Sequence, residues 1–182
     1  MTVVYDANVL YPNALRDLLI RLAQTDLIRA RWTEQILDEM FRALSRTRSH
    51  IPASKHEKLR SLMNASVRDC LVTGYEPLIA GIDLPDPDDR HVVAAALRCR
   101  ADLIVTFNLG DFPDDKLTDL SVSAISPDDF LLDLIGLDTK VVWACIQQIV
   151  DSRTNPPASI DDVLGQLERS GIIEATAVLR IS

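Results

Sequence analysis

The chain has 182 residues, 47% hydrophobic and 25% charged, the composition of a globular protein able to bury a substantial core, and one domain is the first expectation from its length. No apolar run is long enough to span a bilayer, and no basic region leads into an apolar stretch at the N-terminus, so a cytoplasmic protein is expected rather than a membrane protein. The net charge of −8 argues against general attraction to nucleic acid or anionic membrane, and Cys70, Cys99 and Cys145, without a C-x-x-C pair, are expected to be buried thiols.

Taken in order, Thr2-Val3-Val4-Tyr5 predicts a short strand ending in Asp6-Ala7-Asn8. Asp6 and Asn8 are ordinary turn formers, but the carboxyl end of a first strand is also where open α/β sheets place ligands. Leu15, Leu18, Leu19 and Leu22 predict a helix over Ala14–Gln24. After Ile28–Trp32, a connection with room for a brief extended piece, Thr33 is expected to cap a helix running to Arg46, with Ile36, Leu37, Met40, Ala43 and Leu44 inward and Glu39 on the border of that stripe. A further helix is expected over Lys55–Arg68, with Leu59, Leu62, Met63 and Val67 inward, then a short strand at Cys70–Thr73 and a helical turn at Pro77–Gly81.

Charge is unevenly distributed. Between Arg42 and Arg60 stand Arg42, Arg46, Arg48, Lys55, Lys58 and Arg60 against one acid, Glu57. Such a run is either a solvated helix face or a phosphate-contacting rim.

Leu84-Pro85-Asp86-Pro87-Asp88-Asp89-Arg90-His91-Val92-Val93 opens the next helix. Asp86 suits an N-cap and Pro87 the first helical position. Asp89 shares a stripe with Val93, Ala96 and Leu97, so it points inward, where a carboxylate is costly unless paired or metal-bound. Asp102–Thr106 reads as a buried strand, followed by Phe107-Asn108-Leu109-Gly110-Asp111, and Val122–Ile125 as another. Helices are expected over Phe130–Ile135 and Lys140–Val150, then from a capping box at Ser159–Asp162 to Arg169, with a mixed helical end over Ile172–Ile181.

Alternating strands and helices predict a parallel sheet covered on both faces, with strand-end groups brought to one edge. Asp6, the Asp86–Asp89 corner, Asn108 and Asp111 then converge, and Glu39 can join them. The cluster contains no Cys and no strategically placed His. Oxygen-only donors suit Mg²⁺ or Mn²⁺, and a divalent ion among carboxylates suits phosphodiester hydrolysis. No G-x-S-x-G or P-loop motif competes.

The segments Val4–Leu10, Ile36–Met40, Asp86–Ala96 and Val105–Phe112, in this order, resemble PIN-domain ribonucleases, and among them the VapC-type toxins of bacterial toxin–antitoxin modules. The resemblance implies an α/β, Rossmann-like parallel sheet flanked by helices over residues 1–136, with a C-terminal helical extension over 137–182. It implies a divalent-metal endoribonuclease whose acidic ligands are Asp6, Glu39 and Asp89. Asn8, Asp86, Asp88 and Thr106 are supporting residues. The family's fourth position, often Asp, is Asn108 here, and Asp111 is the residue able to compensate. The implied partners are an RNA substrate, a small antitoxin and a second copy of the chain, with Arg42, Arg46 and Arg48 on RNA or the antitoxin.

Two rivals remain on sequence grounds. A haloacid-dehalogenase-like phosphatase also places an Asp after its first strand but wants a second Asp where Asn8 stands. A catalytically lapsed PIN-like binding module is the other, since Asn108 carries no charge.

Overall fold

The computed structural model describes residues 1–182. In chain order it contains β1 (Thr2–Tyr5), α1 (Ala7–Leu10), α2 (Asn13–Ala23), β2 (Arg29–Arg31), α3 (Glu34–Thr47) and α4 (Ala53–Ser66). Short 3₁₀ turns at Glu76–Gly81 and Pro87–Asp89 lead into α5 (Arg90–Cys99), followed by β3 (Leu103–Val105), α6 (Asp114–Leu117) and β4 (Ser123–Ile125). Helices α7 (Pro127–Ser152), α8 (Ile160–Arg169) and α9 (Glu174–Ile181) complete the chain.

All four strands are parallel and lie in the order β2-β1-β3-β4. The chain first moves from β1 to β2, then crosses to β3 on the other side of β1. The strand order therefore reverses between β1 and β3, and the crevice beyond their carboxyl ends is the expected ligand position of such a sheet. Tyr5 is in register with Val105, so Asp6 and Thr106 leave the sheet side by side. Helix α5 packs over both strands. His91 through Ala96 are all buried, and the alanines at 94, 95 and 96 let the helix approach the sheet closely.

Capping determines several boundaries. The Thr33 hydroxyl accepts from the Ile36 N–H at 3.0 Å and starts α3. Asp86 accepts from the Asp88 N–H at 2.9 Å. Ser159 and Asp162 form the expected reciprocal capping box at the start of α8. Asp128, in the first turn of α7, reaches across to α9 and accepts from the backbone N–H groups of Ile173, Glu174 and Ala175 at 3.1, 2.9 and 2.9 Å. Gly171 (φ +97°) follows α8 in the left-handed region, and a Cβ there would lie 3.1 Å from Phe107 Cε1. A single apolar cluster contains Val3 and Leu179 alike, so the C-terminal helices cover the same core as the strands.

The structure departs from the sequence expectations at identifiable places. The brief extended piece allowed for at Ile28–Trp32 is a full member of the sheet, β2, which pairs with β1 although two of its three residues are arginines. The strand expected at Cys70–Thr73 is a single parallel bridge between Trp32 and Leu71. Leu62, expected inward, is 57% exposed, because α4 lies at the periphery and buries only His56 and Met63. The helices expected over 130–135 and 140–150 form one run, α7, broken only at Asp138 (φ −157°, ψ 90°). The Asp138 carboxylate accepts from the N–H groups of Lys140 and Val141 and so restarts the helix. No helix is long and apolar enough to cross a membrane.

Candidate active site

Asp6 is 6% exposed and sits at the junction of β1 and α1. Its N–H donates to the Val105 carbonyl at 3.1 Å, which fixes the junction against β3. Its Oδ1 accepts from the Ala7 N–H at 2.7 Å, so the same side chain caps α1. Its Oδ2 accepts from Thr106 Oγ1 at 2.8 Å and from Asn8 Nδ2 at 3.2 Å. Burial pushes the Asp6 carboxyl up, the bonds from Thr106 and Ala7 oppose that rise, and the charge of Glu39 adds to it.

Asn8 and Thr106 are supports in a literal sense. Asn8 Nδ2 also donates to Thr106 Oγ1 at 3.1 Å, while Asn8 Oδ1 accepts from the Phe107 N–H at 3.0 Å. The Thr106 hydroxyl further accepts from the Asn108 N–H at 3.1 Å. Both ends of the Asn8 amide are thus occupied in tying the β1 and β3 exits together. An amide so engaged cannot supply the proton transfer that the phosphatase rival requires at this position.

Asp89 ends the 3₁₀ turn before α5 and is half-buried, whereas Asp86 and Asp88 are exposed. Its carboxyl is pushed up to about 6 by burial first, then by the charges of Asp6, Asp86, Asp111 and Glu39. Asp89 therefore lies in the field of acids from four other positions. Glu39 comes from α3, at the border expected of it, with 32% of its side chain exposed. Its Oε1 lies 2.5 Å from Nε2 of His91, on α5.

Glu39 stands between two depressions. One, of about 410 Å³, is lined by Gln35, Asp38, Arg42, Asp88 and His91 beside it. The other, of about 310 Å³, is lined by Asn8, Tyr11, Met40, Arg46 and Thr47. Arg42 and Arg46 thus border the acids on either side. Arg48 borders neither depression; its charge bears instead on the partly buried Arg16. Arg60 is engaged elsewhere, with Glu34 and Asp38 at 2.6 and 2.7 Å and over the Phe41 ring. A larger depression, of about 690 Å³, lies between Ser152 and Arg180, but Arg153 there is bonded to Gln166, and Arg180 to Asp161 and Glu168.

The structure brings Asp6, Asn8 and Thr106 into direct contact and places Asp86, Asp89, Asp111 and Glu39 within one electrostatic neighbourhood. It does not draw the acids into a closed cage: no group of three or more His, Cys, Asp or Glu side chains is arranged to hold a metal ion. Asn108 is exposed, and only its backbone is engaged with the site. The donor chemistry nonetheless fits a hard divalent cation. Every candidate ligand is an oxygen, and the carboxylates oppose one another's ionisation in a way that a bound cation relieves.

His91 is the residue that sequence reasoning missed. It lies on α5 two positions beyond Asp89, is 3% exposed, and no strategic His was expected. The available signal was its place in the first turn of α5, directly before the unbroken apolar and small run Val92–Leu97.

The PIN-domain family model matches residues 2–110, and the model of the VapC50 C-terminal domain matches residues 127–181. The chain is 46% identical over 96 residues to the Mycobacterium tuberculosis (strain ATCC 25618 / H37Rv) protein named "Putative ribonuclease VapC50". That match covers 51% of this chain and 56% of the relative, so the chain spans about half the length of the curated relative it matches. No solved structure matches the chain.

Proposed function

Because the chain belongs to the PIN-domain family, we propose that it is a divalent-metal-dependent endoribonuclease acting as the toxin of a toxin–antitoxin pair in the cytoplasm. What supports this reading is that the charges of Asp6, Asp111 and Glu39, each from a different segment, bear on the half-buried Asp89, while Asp6 leaves the sheet at the carboxyl end of β1. The similarity to a protein whose name specifies a ribonuclease supports the same chemistry.

Asp6, Glu39 and Asp89 would hold Mg²⁺ or Mn²⁺, with Asp111 contributing charge nearby and Asn108 offering an uncharged oxygen. The bound cation supplies charge stabilisation at the phosphoryl group. Thr106 and Asn8 orient the Asp6 carboxylate through the bonds described above. Asp86 and Asp88 deepen the negative field without entering the hydrogen-bond network of Asp6. Arg42 and Arg46, bordering Glu39, bind phosphates of the RNA strand on either side of the scissile bond. Arg48, set apart from both depressions, is assigned to the antitoxin. We place the boundary of the nuclease domain at 136/137, next to the break at Asp138, with 137–182 as a helical extension. A second copy of the chain remains part of the proposal as a homodimer partner.

The test is cleavage of total RNA by purified protein with Mn²⁺ and with chelator, beside Asp6→Ala and Asp89→Asn. Fragments that require both the ion and the two acids support the nuclease. The rival reading, a lapsed PIN-like binding module, draws on Asn108 and on the open arrangement of the acids. A folded protein that binds no divalent ion and cuts no RNA would favour it.

A further inference from the structure

The Glu39–His91 contact has three features that an incidental ion pair on a surface lacks. His91 is 3% exposed, so its ring is fixed by the core under α5. Its Nε2 lies 2.5 Å from Glu39 Oε1, closer than the roughly 2.7–2.9 Å usual between a nitrogen donor and a carboxylate. Its other nitrogen, Nδ1, is buried with no partner. An orphaned donor is rarer in proteins than an under-used acceptor. The arrangement is therefore best satisfied with Nδ1 as a bare acceptor and the ring proton on Nε2, donated to Glu39.

We propose that His91 is the positioning residue of Glu39: Nε2 holds Oε1, fixes the carboxylate plane, and leaves Oε2 as the oxygen presented to a divalent cation. This rests on the metal-dependent reading above. Glu39 otherwise stands on a helix border with a third of its side chain in solvent and rotamers free to swing into either adjoining depression. Because His91 follows Asp89 by two residues at the start of α5, the same helix turn sets both the Asp89 carboxylate and the clamp on Glu39. The α3 ligand is thereby registered against the α5 ligand by a side-chain bond between the two helices.

Calorimetric titration of Mn²⁺ into the metal-stripped full chain tests this directly. His91→Leu keeps apolar bulk and removes the donor; its affinity should fall about tenfold, the lower end for loss of an outer partner to a metal ligand. His91→Gln, whose amide nitrogen can donate from near the Nε2 position, should bind close to wild type. In a Glu39→Gln background, His91→Leu should have no further effect. Far-UV circular dichroism checks folding. If His91→Leu does not fold, His91→Asn replaces it, its amide being too short to reach Glu39.

Unchanged or tighter binding by a folded donorless variant overturns the inference. So does an equal loss in His91→Gln, or an undiminished loss in the Glu39→Gln background. Wild-type protein that binds no Mn²⁺ is a different result: it removes the metal-dependent function itself, and this inference with it.

Discussion

Aspartates in first helical turns serve opposite ends in two regions of this molecule. In the C-terminal helices, Asp162 completes a capping box, and its bonds with the Ser159 backbone and hydroxyl pull its carboxyl down. Asp128 satisfies three N–H groups at the start of α9. At the start of α5, Asp89 caps nothing with its side chain and is half-buried, and that burial, with the charges of other acids added to it, pushes it up to about 6. The sequence patterns are alike, an acid after Ser or Pro before an apolar run. What separates them is where the free oxygens go. In one region they are consumed by the backbone; in the other they are left available at a cost to the fold.

The sharpest way to break this contrast is at the level of activity. Replacing Asp6 with Ala or Asp89 with Asn should lower RNA cleavage by roughly 10²–10³-fold, the scale for loss of one preorganised electrostatic element, while thermal denaturation remains cooperative. Cleavage persisting near the wild-type rate in either variant would place the chemistry elsewhere. The converse holds in the other region. Asp128→Ala should cost about 2 kcal/mol, the upper end for a lost cap because three N–H groups are released, and should leave cleavage by the remaining folded protein intact. Chemical denaturation monitored by circular dichroism reads the first quantity, and initial rates the second.

Ser159→Ala should cost about 1 kcal/mol by breaking one half of the capping box; a midpoint unchanged in the same denaturation series would show that the box contributes nothing net.

The smallest effect concerns pH, because Asp89 is partly solvated and its field is screened. A carboxyl raised by folding binds its proton more tightly in the folded state than in the unfolded chain. Its contribution is complete below about pH 4, near the unfolded value, and is lost as pH rises through about 6. Metal-free protein should therefore lose stability across that window, and Asp89→Asn should flatten the loss. Asp162 has the opposite sign, contributing above its unfolded value and fading as acid is added. Melting temperatures of wild type and Asp89→Asn between pH 4 and 7, in the presence of chelator, separate these trends.

Much of this division was legible in the sequence. Asp89 could be distinguished from Asp86 and Asp88 because side-chain direction in a helix follows from spacing alone. The caps at Thr33 and Ser159 were legible because they need only local chemistry. What escaped notice depended on partners distant in the chain. Arg29-Ala30-Arg31 has no apolar alternation to mark a strand and becomes one because β1 offers an unpaired edge. Helix α1 exists because Asp6 turns back to cap Ala7, a bond that a D-x-N pattern does not distinguish from a turn. Leu62 fits an apolar stripe, yet α4 lies where the fold has nothing left to pack against it. His91 follows an acid-rich turn, and its partner lies 52 positions away on another helix.

The bond from Thr106 to Asp6 joins residues 100 positions apart. During synthesis β1, Asn8 and the arginine-bearing α3 are complete while β3 has yet to be made. A nascent chain at that stage has neither the hydroxyl that steadies Asp6 nor the strand against which its junction is fixed. Asp89, eighty-three residues beyond Asp6, arrives shortly before Thr106 does. A product truncated before β3 therefore carries Asp6, and Glu39 with it, without the Thr106 bond that orients the first of them. Order of manufacture alone thus delays the moment at which Asp6 is fixed against β3.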